Sequence, residues 1–294
     1  CNIMTPMGQA YSDSVPMLVL SSCLDETSYR RGQLHQMKDQ RAAAATVCDW
    51  SEEARTPRAA YGLVERAFDE FETSRPRSKH IQVPIGQLES VTAEAPFPNL
   101  PAERVKAGAV DVASVVSLVN IAKRPLFILG GGAASVYWRD LLEPLGIATM
   151  TSYAGRGAMG LGAPLDFGAC LARPGSADIV ATADLVVVIG CELAEVDLWR
   201  PALGHSATLV RVDLDPEVLS DAQRAGVKIQ ADADSFARAF WEATKGQDRQ
   251  TDWDPAEVST TRARWRSEVD SERPGIARIC DALRDVMPAD TMFY

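Results

Sequence analysis

Three short runs of this chain could do chemistry through backbone or side chains, with an acidic stretch lying between the first two. The first is Leu129-Gly130-Gly131-Gly132, set between an apolar run and a helical one. Glycines there let backbone approach a ligand closely, and the amides of a following helix favour a phosphate. The run is not a full G-x-G-x-x-G, because Ser135 stands at the last position; a tight strand-to-helix turn explains it equally. The second is Asp213-Leu214-Asp215-Pro216. An aspartate ending a strand can accept a ribose hydroxyl, whereas Asp215 before Pro216 reads as a helix cap. Between these, Gly190-Cys191-Glu192 closes another apolar run, and Glu192, Glu195 and Asp197 form an acidic cluster open to a cation or simply to water. The third is G-Q-L-H-Q over residues 32–36, a polar stretch whose His35 could act as an acid–base or orienting group. His80 and His205 show no partners, and Cys191 has no nearby histidine to make it a nucleophile. Phosphate-loop and serine-hydrolase motifs are absent.

These residues need elements to position them. Residues 3–12 read as a helix, and 15–20 (V-P-M-L-V-L) as a buried parallel strand. Residues 58–74 read as a long helix with Leu63, Val64, Ala67, Phe68 and Phe71 on one buried face, and 80–85 as a strand. Pro96, Pro98 and Pro101 mark an extended linker across residues 87–108. Residues 109–246 then alternate helix and strand. Val112, Val115, Val116 and Val119 make a helical stripe, strands fall at 125–129, 147–150, 185–189, 208–212 and 227–230, and a last helix spans 234–244. This rhythm predicts a doubly wound parallel sheet. A polar linker comes next over 247–255, then a helix over 256–286 broken at Pro274, and a strand beginning at 291–294.

Composition narrows the class. Of 294 residues, 46% are hydrophobic and 24% charged, which suits a globular chain able to bury a core. The net charge of −10 argues against nucleic acid and anionic membrane as partners. Six scattered cysteines and three histidines form no zinc pattern, and reduced thiols in a cytoplasm are the simplest reading. A nucleotide-binding module without catalysis and a nicotinamide-dependent oxidoreductase both stay open on these grounds; the incomplete glycine fingerprint weighs against the second.

The residues from Asn2 to Met17, N-I-M-T-P-M-G-Q-A-Y-S-D-S-V-P-M, resemble the thiamine-diphosphate enzymes related to acetolactate synthase, in which G-P-G-x-x-N leads into A-[YF]-x-D-[SG]-[VI]-P-[ML]. Ala67-Phe68, Ser74-Arg75-Pro76 and Val83-Pro84-Ile85 come in family order, as do Lys123-Arg124-Pro125, Gly155-Arg156-Gly157 and Val212-Asp213-Leu214-Asp215-Pro216. Residues 77–80 depart from the family's G-P-V. The resemblance implies an α/β fold: residues 1–86 as the C-terminal part of a pyrimidine-binding domain, 87–108 a linker, 109–246 a central Rossmann-like domain, and 247–294 a linker entering the diphosphate-binding domain. It places the activating glutamate before Cys1 and the Mg²⁺ motif after Tyr294, so these residues alone would be inactive. It implies thiamine diphosphate and Mg²⁺ as cofactors, a 2-oxo acid as substrate and a homodimer or homotetramer. The family's F-Q-E loop becomes Leu34-His35-Gln36, which resembles the 5-guanidino-2-oxopentanoate decarboxylase branch and makes His35 the catalytic candidate, with carboligation of the acetolactate type as the alternative. Asn2 falls near the pyrimidine. Gly130, Gly131, Gly132 and Asp213 fall on the loops that contact FAD in some members, although residues 168–174 depart from the accompanying H-G-x-x-x-A-N.

Overall fold

The computed structural model describes residues 2–25, 32–95, 102–288, 290 and 291. It divides into two compact units, Cys1–Arg104 and Val105–Tyr294. The division falls inside the proline-rich stretch, whose Pro96, Pro98 and Pro101 lie outside the described residues.

The first unit runs α1 (Met4–Ser12), β1 (Leu18–Cys23), α2 (Gln40–Ala44), β2 (Trp50–Glu53), α3 (Pro57–Thr73), β3 (Lys79–Pro84) and α4 (Ile85–Leu88). Its three strands are parallel in the order β1-β3-β2. β1 starts later than the apolar run suggests. Ser14 takes a left-handed φ of 56° and the Val15 amide returns to Ala10 O, so this segment is a turn. α3 begins where Thr56 accepts the Ala59 amide and Pro57 supplies a preset φ. Of its expected buried face only Ala67 is buried, and Phe68 is 60% exposed. β3 is buried along most of its length despite opening with Lys79 and His80. The Lys79 ammonium is held 2.7 Å from both Asp49 and Glu70, beside the rings of Trp50 and Phe71. That pairing is what permits a buried charge.

The second unit runs α5 (Ala109–Ile121), β4 (Pro125–Leu129), α6 (Arg139–Leu142), β5 (Ala148–Thr151), α7 (Ser176–Thr182), β6 (Leu185–Ile189), α8 (Glu195–Leu198), β7 (Thr208–Asp213), α9 (Pro216–Leu219), β8 (Val227–Gln230), α10 (Ala233–Thr244), α11 (Pro255–Glu272) and α12 (Ile276–Val286). Its five strands are all parallel in the order β5-β4-β6-β7-β8. Alternate residues build two cores. Phe127, Leu129, Val187 and Ile189 meet Val112, Val115 and Val119 of α5 and Phe236 and Phe240 of α10. Leu126, Ile128, Val186 and Val188 meet Ile179 and Val180 of α7, and Trp253, Val258 and Trp265 around α11. A sheet covered on both faces requires the unbroken apolar strands that β4 and β6 show. α11, in the stretch read as leading into a further domain, thus packs its first turns onto this sheet. The strand read at residues 291–294 falls largely outside the described residues.

Candidate functional site

In the order β5-β4-β6 the chain reverses its direction of travel across the sheet, and ligands of open parallel sheets gather at such a point, beyond the strands' carboxyl ends. The Gly130 to Gly132 run leaves β4 there and meets the loop leaving β6. The Gly130 amide donates to Ile189 O at 2.9 Å, and the Gly132 amide to Gly190 O at 3.0 Å. A Cβ on Gly130 would lie 2.1 Å from Gly190 O and 2.4 Å from the Cys191 Cα. These glycines therefore let two loops interlock. The chain leaves Gly130 in a three-residue 3₁₀ turn (Gly131–Ala133) and not in a long helix. With two amides engaged and no helix end behind them, the run lacks the donor set of a pyrophosphate cradle, and the FAD implied by the resemblance does not fit it in that way.

Asp213 ends β7, one strand further on. Its Oδ1 accepts the Asp215 amide at 3.0 Å, and Asp215 in turn caps α9 by accepting the Glu217 amide at 2.8 Å. Burial pushes the Asp213 carboxyl up from 3.8 to about 6, with the charges of Asp215 and Glu192 adding to the rise, and Arg211 and the Asp215 amide opposing it. A carboxyl whose folded pKa is raised favours the fold most when protonated, so its contribution is present below 3.8 and is lost as pH rises through 6. The loss by pH 7.5 is about 3 kcal/mol. Asp213→Asn is accordingly expected to raise the melting temperature at pH 7.5, with the gain shrinking as pH is lowered from about 6 toward about 4; calorimetry across that range checks it. Cys191 is buried with its thiol driven far above the ordinary range, first by burial and then by Asp197, which makes it a poor nucleophile. Asp197 turns inward onto the Ala194 amide and the Cys191 thiol while Glu195 is exposed to solvent, so the three acidic residues do not converge.

In the first unit, Asn2 is exposed in the turn before α1. His35 is exposed as well, at a left-handed φ of 60° in a turn closed by the Gln36 amide on Gln33 O. No hydrogen bond joins the two among the described residues. Downstream of His35, the Gln40 side chain donates to Ser21 Oγ at 2.8 Å and to Ser22 O at 2.9 Å. Ser21 meets His80 Nε2 at 2.7 Å, and Ser51 meets His80 Nδ1 at 2.7 Å. His80 thus has two partners that its sequence neighbours hide, and burial lowers its pKa toward the neutral ring.

The carboxyl ends of the three parallel strands bring together Cys23, Glu53 and Gln82. Gln82 Nε2 donates to Glu53 Oε2 at 2.5 Å, and Arg55 Nε donates to Glu53 Oε1 at 3.0 Å. Asp25 accepts the Gly86 amide at 2.9 Å. Burial pushes the Cys23 thiol up to about 11, helped by Glu53 and Asp25. Sequence reasoning missed this cluster because W-S-E-E, which forms β2, is too short and polar to read as a strand. Among the described residues no group of three or more His, Cys, Asp or Glu is arranged to hold a metal ion, and no helix is long and apolar enough to cross a membrane.

Residues 112–240 match the family model described as thiamine pyrophosphate enzyme, central domain. The chain is 34% identical to the probable 2-ketoarginine decarboxylase AruI of Pseudomonas aeruginosa, over 98% of this chain and 53% of that protein. It is 24% identical to the acetolactate synthase large subunit of Lactococcus lactis, over 86% of this chain and 46% of that protein. The chain spans about half the length of the curated relatives it matches. Among solved structures it shares the fold of benzoylformate decarboxylase from Polynucleobacter necessarius, with TM-score 0.68, 21% identity and coverage of 85% of this chain and 48% of that one. It likewise shares the fold of a putative thiamin diphosphate-dependent enzyme from Mycobacterium smegmatis, with TM-score 0.66, 18% identity and coverage of 85% and 50%.

Proposed function

We propose that this chain, whose residues 112–240 match the thiamine pyrophosphate enzyme central domain, serves the decarboxylation of a 2-oxo acid, 5-guanidino-2-oxopentanoate before others. The observation that carries this is the 34% identity with a probable 2-ketoarginine decarboxylase across 98% of the chain. Thiamine diphosphate with Mg²⁺, when bound, supplies the electron sink that makes loss of CO₂ from such an acid possible. No ligand to Mg²⁺ is assigned to the described residues.

The chain's own residues supply position and protons. Asn2, exposed before α1, is the residue assigned to the pyrimidine in this reading. His35 carries an exposed imidazole on a turn, a group suited to giving a proton to the substrate carbon once CO₂ has gone. Asp213 accepts hydroxyl or amide donors at the carboxyl edge of the central sheet, and Gly130, Gly131 and Gly132 border that edge without supplying a phosphate cradle. A homodimer or homotetramer in the cytoplasm is part of the proposal.

The test uses the protein as its gene encodes it, with thiamine diphosphate and Mg²⁺. CO₂ and 4-guanidinobutanal should form from 5-guanidino-2-oxopentanoate, and His35→Ala should lower kcat about 100-fold. Acetolactate from pyruvate would instead assign the carboligase reading, which the similarity to acetolactate synthases supports. Absence of product from either acid refutes both.

A further inference from the structure

We infer that the carboxyl edge of the first unit's sheet, where Glu53, Asp25 and the Gln82 amide converge, receives the guanidinium end of the substrate. The inference rests on the decarboxylase reading above and adds to it the groups that select the substrate. Parallel register makes the edge: Glu53 on β2 stands beside Gln82 on β3, and Cys23 at the end of β1 stands beside Pro84. Three strand ends thus deliver two carboxylates and one amide to one place.

Negative charge alone would mean little there, since acidic side chains often face only water. Gln82 supplies the independent sign of a ligand. It is 6% exposed, its Nε2 is spent on Glu53, and its Oε1 is buried with no donor. A buried acceptor without a donor is unfavourable until a donor reaches it. The neighbouring acceptors are only partly used: one oxygen of Asp25 holds the Gly86 amide, and the two of Glu53 hold single donors from Gln82 and Arg55. The thiol of Cys23 feels both carboxylates, which locates their charge at this edge. The complementary group is a planar cation with several N–H donors in a fixed fork, able to reach a carboxylate and an amide oxygen together; a guanidinium has that shape and an ammonium does not. Arg55 on Glu53 already shows that this carboxylate accepts one guanidinium.

The experiment compares kcat/KM for 5-guanidino-2-oxopentanoate with that for 2-oxohexanoate, which lacks the cation, in the holoenzyme and in its Glu53→Gln and Asp25→Asn variants. Binding of 4-guanidinobutanoate is measured alongside by calorimetry. At least one variant should lose about 30-fold or more in selectivity for the guanidino acid, and the probe's affinity should fall in parallel. Equal losses on both acids, with probe affinity unchanged, would make the cluster structural and overturn the inference. So would decarboxylation of the guanidino acid with wild-type selectivity in both variants, which leaves the decarboxylase reading intact. If neither acid is turned over but the probe binds in a Glu53-dependent way, the decarboxylase reading falls and the guanidinium site stands.

Discussion

Gly130→Ala is expected to destabilise the second unit by about 3 kcal/mol or more, lowering its melting temperature by about 10 °C. The added methyl carbon would sit 2.1 Å from Gly190 O and 2.4 Å from both Cα and Cβ of Cys191. Two of these three neighbours are backbone atoms, which cannot rotate away as a flexible side chain can. The room could come only from parting the β4 and β6 loops, which breaks the bonds from Gly130 N to Ile189 O and from Gly132 N to Gly190 O. Thermal melting of the purified variant reads the effect; a loss under about 1 kcal/mol would mean that the interlock yields cheaply. The same variant should disturb any ligand at this edge, because Cys191 and Glu192 move with the loop.

The second large effect is expected at Arg211, whose side chain is 1% exposed on β7. Its Nη1 reaches Asp221 Oδ2 at 2.5 Å and its Nη2 donates to Cys191 O at 2.7 Å, so one guanidinium ties β7 to the helix-linked loop after it and to the loop after β6. Arg211→Met keeps much of the volume but leaves a carboxylate and a buried carbonyl without their donor. Removal of one partner from such a pair costs about 3–5 kcal/mol. The loss should be larger at about pH 8 than at about pH 5. Arg211 is a charge that holds the Asp213 pKa down against burial, so without it the ionised Asp213 is less tolerable, and that form dominates only at higher pH. Urea unfolding at the two pH values tests this; a pH-independent loss would sever the two residues.

How far the sequence was legible depends on what kind of interaction set each element. Strands β4 and β6 lie where apolar runs bounded by turns put them, because a strand buried on both faces carries its own signature, and the alternating Val227–Gln230 places the edge strand β8. The long helices α3 and α10 and the interruption at Pro274 were legible from spacing and proline. The failures are tertiary. β2 is a strand because Ser51 and Glu53 find His80 and Gln82 across β3, and neither partner is visible from W-S-E-E. Phe68 has helical spacing to the expected buried face yet points outward. His80 reads as partnerless because its two serines come from strands that precede it by many residues. At the candidate site the glycine run was visible as a motif, but spacing could not tell a ligand cradle from a contact between two loops. Only the position of Gly190 O decides that.

The strand order of the second unit also governs how its chain can assemble. β4 and β5 are near neighbours in sequence and can pair early, with little loop entropy to overcome. β6 must then return to the open side of β4 after the long stretch through α7, and only then do the loops beyond Leu129 and Ile189 lock. Such non-local parallel pairing slows folding. It also places Leu185–Ile189 between partners on both sides and under helices on both faces. Amides of this central strand should therefore trade hydrogen with solvent only when the whole unit opens, while those of the edge strand β8 exchange through smaller fluctuations.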